Sequence, residues 1–401
     1  MTMSKGLLFA AALALAATPA LADGQYDTGA SDTEIKIGNT NPYSGPASSY
    51  GTIGKALSAY FDMINEQGGI NGRKITFISL DDGYSPPKTV EQVRKLVELE
   101  EVLFLFQTLG TPTNTAIHRY VNTKKIPHVF IATGATKWGQ PEKFPWTMGW
   151  QPTYQTEGKA FARYILANVE DPKIGVLYQN DDYGKDFLEG LKIGLGERAD
   201  ELIVAEEPYE VTDPTVDSQI VSLKSSGANV FYNISIPKFA AQAIRKSYDI
   251  GWRPLHLLNY VAASIKLVLK PAGLDKSKGI ISALFMKDPT NPLWRDDDDV
   301  QIWLAWMKKY YPEGDIDEPF NVFPYAAAYT LQHVLEKCGD NLTRANIMKQ
   351  AASIKDLKVP MLIDGITINT AADDFYPIEE LRLARFNGSE WEVFGDLISA
   401  R

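Results

Sequence analysis

The sequence predicts an α/β protein of two lobes, each a parallel sheet with helices on both faces. Three observations carry this expectation. From Glu34 onward, short β-branched or apolar runs alternate with amphipathic runs of helical length. The same rhythm restarts after Trp150. Each half also sets a Tyr-Gly pair after its opening strand and a polar loop, Tyr50-Gly51 in the first and Tyr183-Gly184 in the second. Strand–helix–strand repetition implies parallel pairing, with the connecting helices covering both sheet faces.

In the first half, strands are expected at Ile35–Ile37, Ile75–Leu80, Val102–Phe106 and Val129–Ile131, with helices at Ile53–Glu66 and Thr89–Glu100. The second half offers strands at Ile174–Tyr178, Ile203–Glu207, Val230–Tyr232, Leu255–Leu258 and Ile280–Phe285. Helices at Asp186–Gly196, Thr215–Ser225 and Phe239–Asp249 interleave them. The tail breaks the rhythm: Val300–Tyr311, Phe323–Cys338 and Thr343–Ala352 read as successive helices. Strands at Ile366–Ile368, Leu381–Phe386 and Trp391–Phe394 follow, with Asn387-Gly388 as a hairpin turn. A helical block returning to one half and a hairpin to the other makes the backbone cross between lobes more than twice. The expected division is 33–152 plus 286–355 for lobe one and 153–285 plus 356–401 for lobe two.

A chain of 401 residues is too long for one core, which agrees with two lobes. Its N-terminus reads as an export leader: Lys5 is the positive start, Leu7–Ala17 an apolar core too short to span a bilayer, and Ala20-Leu21-Ala22 a small-x-small cleavage site. Cleavage after Ala22 would leave a mature chain expected to be soluble and outside the cytoplasm. The net charge of −10 argues against nucleic-acid or anionic-membrane partners. The single cysteine, Cys338, has no internal disulfide partner and sits in a helical apolar run as a buried thiol.

The chemistry concentrates between Val102 and Thr136. The strand Val102–Phe106 runs into Gln107-Thr108-Leu109-Gly110-Thr111, and Pro112 follows. Thr111 as N-cap and Pro112 at the first helical position mark a helix start. The second strand opens into Ala132-Thr133-Gly134-Ala135-Thr136. Unpaired N–H groups and the positive helix end suit a small anion, usually a carboxylate. In open α/β sheets ligands bind beyond the carboxyl ends of the strands. Two facing edges would line a cleft with Tyr50, Thr111 and Thr133 on one wall and Tyr183 on the other. Singly, each tyrosine is more often a packing residue; their matched placement is the signal.

Other chemistry is missing from the sequence. No G-x-G-x-x-G, Walker loop or G-x-S-x-G elbow occurs; Gly190, Gly194 and Gly196 lie late in a helix at the wrong spacing. His118, His128, His256 and His333 are scattered, with no zinc-binding pattern. The run Asp296–Asp299 reads as solvated acids at a helix N-terminus. Asp81-Asp82 reads as a turn or cap that could face the cleft. No catalytic constellation, metal site or cofactor is expected.

Several ordered pieces resemble the type I periplasmic solute-binding proteins of branched-chain amino-acid-type ABC importers, the leucine/isoleucine/valine-binding family. They are Ser44-Gly45-Pro46, Tyr50-Gly51, Asn65 to Gly72, Asp81-Asp82, Lys125-Ile126-Pro127, Gly134-Ala135-Thr136, Asn180 to Lys185, and Phe386-Asn387-Gly388 with Trp391 and Phe394-Gly395. The resemblance spans essentially the whole mature chain. It implies two doubly wound lobes on a multi-strand hinge that close over one solute, with permease and ATPase subunits as partners.

By position, the family's carboxylate-binding loops fall on Leu109, Gly110, Thr111, Ala132, Thr133 and Thr136, and its flanking aromatics on Tyr50, Tyr183 and Phe320. Where amino-acid binders place an acid for the ammonium, this chain has Tyr260; where a lobe-two tyrosine is expected, it has Ser235 or Ile236. An ammonium shut in without a carboxylate would cost at least a few kcal/mol. Asp181 or Asp182 are the acids able to substitute. Tyr260, with Trp150, Tyr154 and Tyr376 nearby, favours a flat aromatic carboxylate, and Phe375 to Ile378 resembles the aromatic-acid-binding branch of the family. Amino-acid binding, ligand sensing and a periplasmic hydrolase are the rival expectations.

Overall fold

The computed structural model describes residues 24–399; the leader expected over 1–22 lies outside them. Five parallel strands form the first sheet, in the order Lys74–Asp81, Glu34–Asn41, Phe104–Phe106, His128–Ile131, Thr147–Gly149. Seven form the second: Trp391–Ser399, Glu380–Phe386, Ile281–Leu284, Leu255–Leu258, Val230–Ile234, Ile174–Gln179, Ile203–Tyr209. Its first two strands are the antiparallel tail hairpin, and the other five run parallel. The expected α/β fold of two parallel-sheet lobes is therefore present.

Burial on both faces explains the apolar strand sequences: Phe104, Leu105 and Phe106 are all fully buried. The ladder is shorter than the expected Val102–Phe106 because the Val102 and Leu103 carbonyls accept the Arg344 guanidinium, at 3.0 and 2.9 Å. Ile366–Ile368 does not form the expected strand; Ile368 makes only an isolated bridge to Leu357. The strand Thr147–Gly149 and the helix Tyr154–Asn168 are additions to the sequence expectation. The helix has a side-chain cap, Thr153 Oγ1 accepting from Thr156 N at 3.1 Å.

Helices Tyr154–Asn168 and Asp182–Leu195 cross almost backbone to backbone. A Cβ on Gly158 would lie 2.5 Å from Leu191 N, and one on Gly190 2.4 Å from Gln155 Cα. Both helices start at the cleft with a tyrosine in the first turn, so this contact fixes the spacing of Tyr154 and Tyr183.

Several segments run between the sheets. Residues 150–153 follow the first sheet, and 285–288 leave the second alongside 361–363, with Lys287 N donating to Met361 O at 2.8 Å and Ile363 N to Phe285 O at 3.0 Å. The buried Lys287 ammonium ties this hinge, lying 2.7 Å from Asp297, 3.2 Å from Asp364 and 3.4 Å from Asp299. The acidic run is thus no merely solvated helix start: Asp297 caps helix Asp298–Tyr310 and pairs with Lys287. Residues 354–377 bond back toward the first sheet, through Thr370 Oγ1 to Ala351 O (2.7 Å) and Tyr376 OH to Thr136 O (2.9 Å). The chain joins the second sheet at Glu380.

Candidate ligand-binding site

The two threonine loops are neighbours because their strands are. Leu109 bridges Ala132 in parallel, and Thr111 Oγ1 lies 2.5 Å from Thr133 Oγ1, which in turn lies 3.1 Å from the Tyr154 hydroxyl. Helix Thr111–Thr123 starts one residue earlier than expected. Its cap is Gly110 at φ 99, with Pro112 in the first turn and no side-chain cap bond. Glycine is required there for the left-handed backbone, and a Cβ would strike the Tyr84 ring at 2.5 Å. The leading N–H groups of this helix have no intrahelical acceptor and present a positive end to the cleft.

A cavity of about 140 Å³ lies between the lobes. Tyr50, Leu109, Gly110, Thr111, Ala132, Tyr154, Tyr183, Tyr260 and Phe320 line it, so nine of the twelve residues singled out by the sequence converge. The other three lie outside. Thr133 stands behind Thr111, its hydroxyl shared with Thr111 and Tyr154. Thr136 gives its N–H and hydroxyl to Asp186 across the cleft, at 2.8 and 2.9 Å. Ser235 is fully buried with its hydroxyl on Asn233, and Ile236 takes the place on the wall.

The acids nominated for an ammonium are committed elsewhere. Asp181 caps helix Asp182–Leu195 through Tyr183 N at 2.9 Å, and burial pushes its carboxyl up to about 6. Asp182 pairs with Lys137 at 2.5 Å. Asp82 is buried against Tyr84 N and the Thr89 hydroxyl. Trp150 is fully buried, its indole N–H on Thr330 Oγ1 at 3.1 Å, behind Phe285 and Phe323 of the wall.

Tyr84, Gln151, Phe285, Lys287 and Asp288 also line the cavity and were not legible as site residues. Each comes from a turn or a hinge segment without a local motif, and only the fold brings them together. Burial raises the Tyr154 phenol to about 12 and those of Tyr50, Tyr183 and Tyr260 well above the ordinary value, so all four stay protonated.

The lobes are closed on one another. Tyr50 OH donates to Val261 O at 2.8 Å, and Tyr260 OH to Pro152 O at 2.6 Å while accepting from Gln151 at 2.9 Å. Ser264 Oγ donates to Glu318 at 2.8 Å. Among the described residues no group of three His, Cys, Asp or Glu could hold a metal, and no helix is long and apolar enough to cross a membrane. His128 and His256 are buried and neutral, pushed down to about 3 by burial.

The family model for periplasmic binding proteins matches residues 34–390, covering both sheets and the cavity. The chain belongs to the periplasmic binding protein family. Members bind a solute and do not transform it, which agrees with the missing catalytic constellation. This periplasmic binding protein is similar to the Leu/Ile/Val-binding protein homolog 1 of Brucella suis biovar 1, at 25% identity over 82% of this chain and 85% of the relative. Among solved structures it is similar to a branched-chain amino acid ABC transporter protein of Thermus thermophilus with bound valine: TM-score 0.82, 16% identity, 94% of this chain and 97% of that one. A fatty acid ABC transporter substrate-binding protein of Thermomonospora curvata matches with TM-score 0.78 and 21% identity, covering 94% and 95%. These last two likenesses concern the fold.

Proposed function

We propose that this periplasmic binding protein captures a small carboxylate, with an aromatic acid as the preferred guest, and delivers it to the permease and ATPase subunits of an ABC importer. The observation that carries the reading is a cavity with an uncapped helix start at one end and aromatic walls. The carboxylate meets the main chain of Leu109 to Thr111 and Ala132, with the Thr111 hydroxyl held in place by Thr133. Tyr50, Tyr154, Tyr183 and Phe320 surround the body of the guest. A void of roughly 150 Å³ takes up benzene, so 140 Å³ suits one ring. Tyr260 supports the preference: at the position where amino-acid binders place an acid, its phenol is engaged with Pro152 and Gln151 and carries no negative charge. Ligand contact with both lobes favours the closed population, the form an importer engages.

The relatives named for leucine, isoleucine and valine favour an amino acid, whereas the neighbour named for fatty acids favours a carboxylate without an amine. Thermal-shift screening separates these guests. Benzoates and phenylpropenoates should raise Tm, while leucine and valine leave it unmoved. The reverse pattern assigns amino-acid binding to the cavity.

A further inference from the structure

One polar group on the cavity wall is left over once the fold is accounted for. Asp288 is only 5% exposed and lines the cavity. Its Oδ1 accepts from Thr290 N at 2.9 Å and Thr290 Oγ1 at 2.7 Å. Its Oδ2 has no hydrogen-bond partner among the described residues. The neighbouring cation, Lys287, is engaged by Asp297, Asp299 and Asp364. The other charges acting on Asp288 are the like charges of Asp317 and Glu390, and Glu318 also feels it. That oxygen is left to whatever fills the cavity, and a group with a hydrogen to give, brought in by the guest, completes its bonding.

Position in the cavity says which part of the guest this is. Asp288 sits at the hinge end, three residues after Phe285. From the threonine loops, the path along the wall runs from the Tyr154 ring to that of Tyr260 (6.0 Å) and on to that of Phe285 (5.6 Å). An α-amino acid carries both charges on one carbon, whereas a benzene ring with substituents at opposite positions holds its two polar groups a full ring apart.

Resting on the aromatic-acid reading above, we infer that Asp288 is a specificity residue: its free oxygen accepts a hydrogen bond from a hydroxyl on the ring, remote from the carboxylate held at Thr111. The preferred guest is then a para-hydroxylated aromatic acid rather than a plain one.

Calorimetric titration of the ligand-stripped mature protein tests this with benzoate, 4-hydroxybenzoate, 4-methoxybenzoate and 4-(aminomethyl)benzoate. Wild type should bind the hydroxy acid at least about tenfold more tightly than benzoate, and reject the methoxy acid, which has no hydrogen to give. Asp288→Asn keeps an acceptor for Thr290 and puts an amide donor where the free oxygen was. A phenol oxygen also accepts from that amide, so the readout is the methoxy acid, which Asp288→Asn should bind at least about tenfold more tightly than wild type does. If the variant does not fold, the wild-type series decides alone. Equal binding of benzoate and 4-hydroxybenzoate by wild type, or a rejection of 4-methoxybenzoate that survives in Asp288→Asn, overturns the role of Asp288 and leaves the aromatic-acid reading intact. Tighter binding of the aminomethyl acid overturns the hydroxyl assignment in favour of a cation. Binding of none of the four overturns the aromatic-acid reading, and the Asp288 assignment falls with it.

Discussion

Tyr50 shows how one side chain serves both guest and closure. Its ring lines the cavity beside Phe320, centroids 5.1 Å apart, while its hydroxyl reaches the Val261 carbonyl of the other lobe. That bond is made when the lobes meet and is lost when they part. A neutral hydrogen bond is worth about 1 kcal/mol net, about fivefold in an equilibrium constant. Tyr50→Phe should therefore weaken all guests by about that factor while leaving their rank order unchanged, as read by titration of two chemically different ligands. A changed rank order with unchanged affinity for one of them would mean that the hydroxyl touches the guest instead. The same division of labour explains why residue types alone misplace Thr133 and Thr136. Each has the hydroxyl the site needs, but one backs up Thr111 and the other binds Asp186. Which of several threonines faces a cavity depends on backbone direction after the strand, and composition does not carry that.

At the scale of elements, the sheets were legible and the helix contact that spaces the tyrosines was not. Phe104-Leu105-Phe106 and its counterparts announce strands buried on both faces, and the Tyr-Gly pairs announce the cleft. Gly158 and Gly190 announce nothing locally, because their role is set by a second helix. Asp288 and Lys287 escape for a related reason: their bonds to Thr290, Asp297 and Asp299 are local, and only the hinge, through Asp364 and the pairing of 285–287 with 361–363, places them on the cavity wall. Gly190→Ala tests the helix contact. Its Cβ would sit 2.4 Å from Gln155 Cα, a backbone atom that yields only if the helices separate. Overpacking of this kind costs about 1–3 kcal/mol. Chemical denaturation should register that loss. Ligand affinity should fall as well, because Tyr154 and Tyr183, 5.3 Å apart edge to face, ride on the two helices. Full affinity in a destabilised variant would uncouple the contact from the site.

At the scale of the whole molecule, closure buries an acid. Glu318 is 3% exposed, with Ser264 Oγ and Phe320 N donating to it at 2.8 and 3.0 Å. Burial nonetheless dominates and raises its carboxyl from 4.5 to about 7, with Asp315 and Asp288 adding repulsion. Lys266, the cation on the facing segment, is paired with Asp315. Opening the cleft separates Glu318 from Ser264 and returns it to water. Below pH 4.5 Glu318 is neutral in both forms and its contribution to the closed form is fully present. Between 4.5 and about 7 closing takes up a proton, so that contribution declines as pH rises and is gone above the folded value. The shift corresponds to on the order of 3 kcal/mol at most. Guest affinity should accordingly weaken from pH 5 to pH 8. Glu318→Gln should flatten that profile in part, since Asp181, raised to about 6 by burial, titrates in the same direction. Affinity that climbs with pH, or a profile that Glu318→Gln leaves untouched, would show that the acid stays equally buried in the open form.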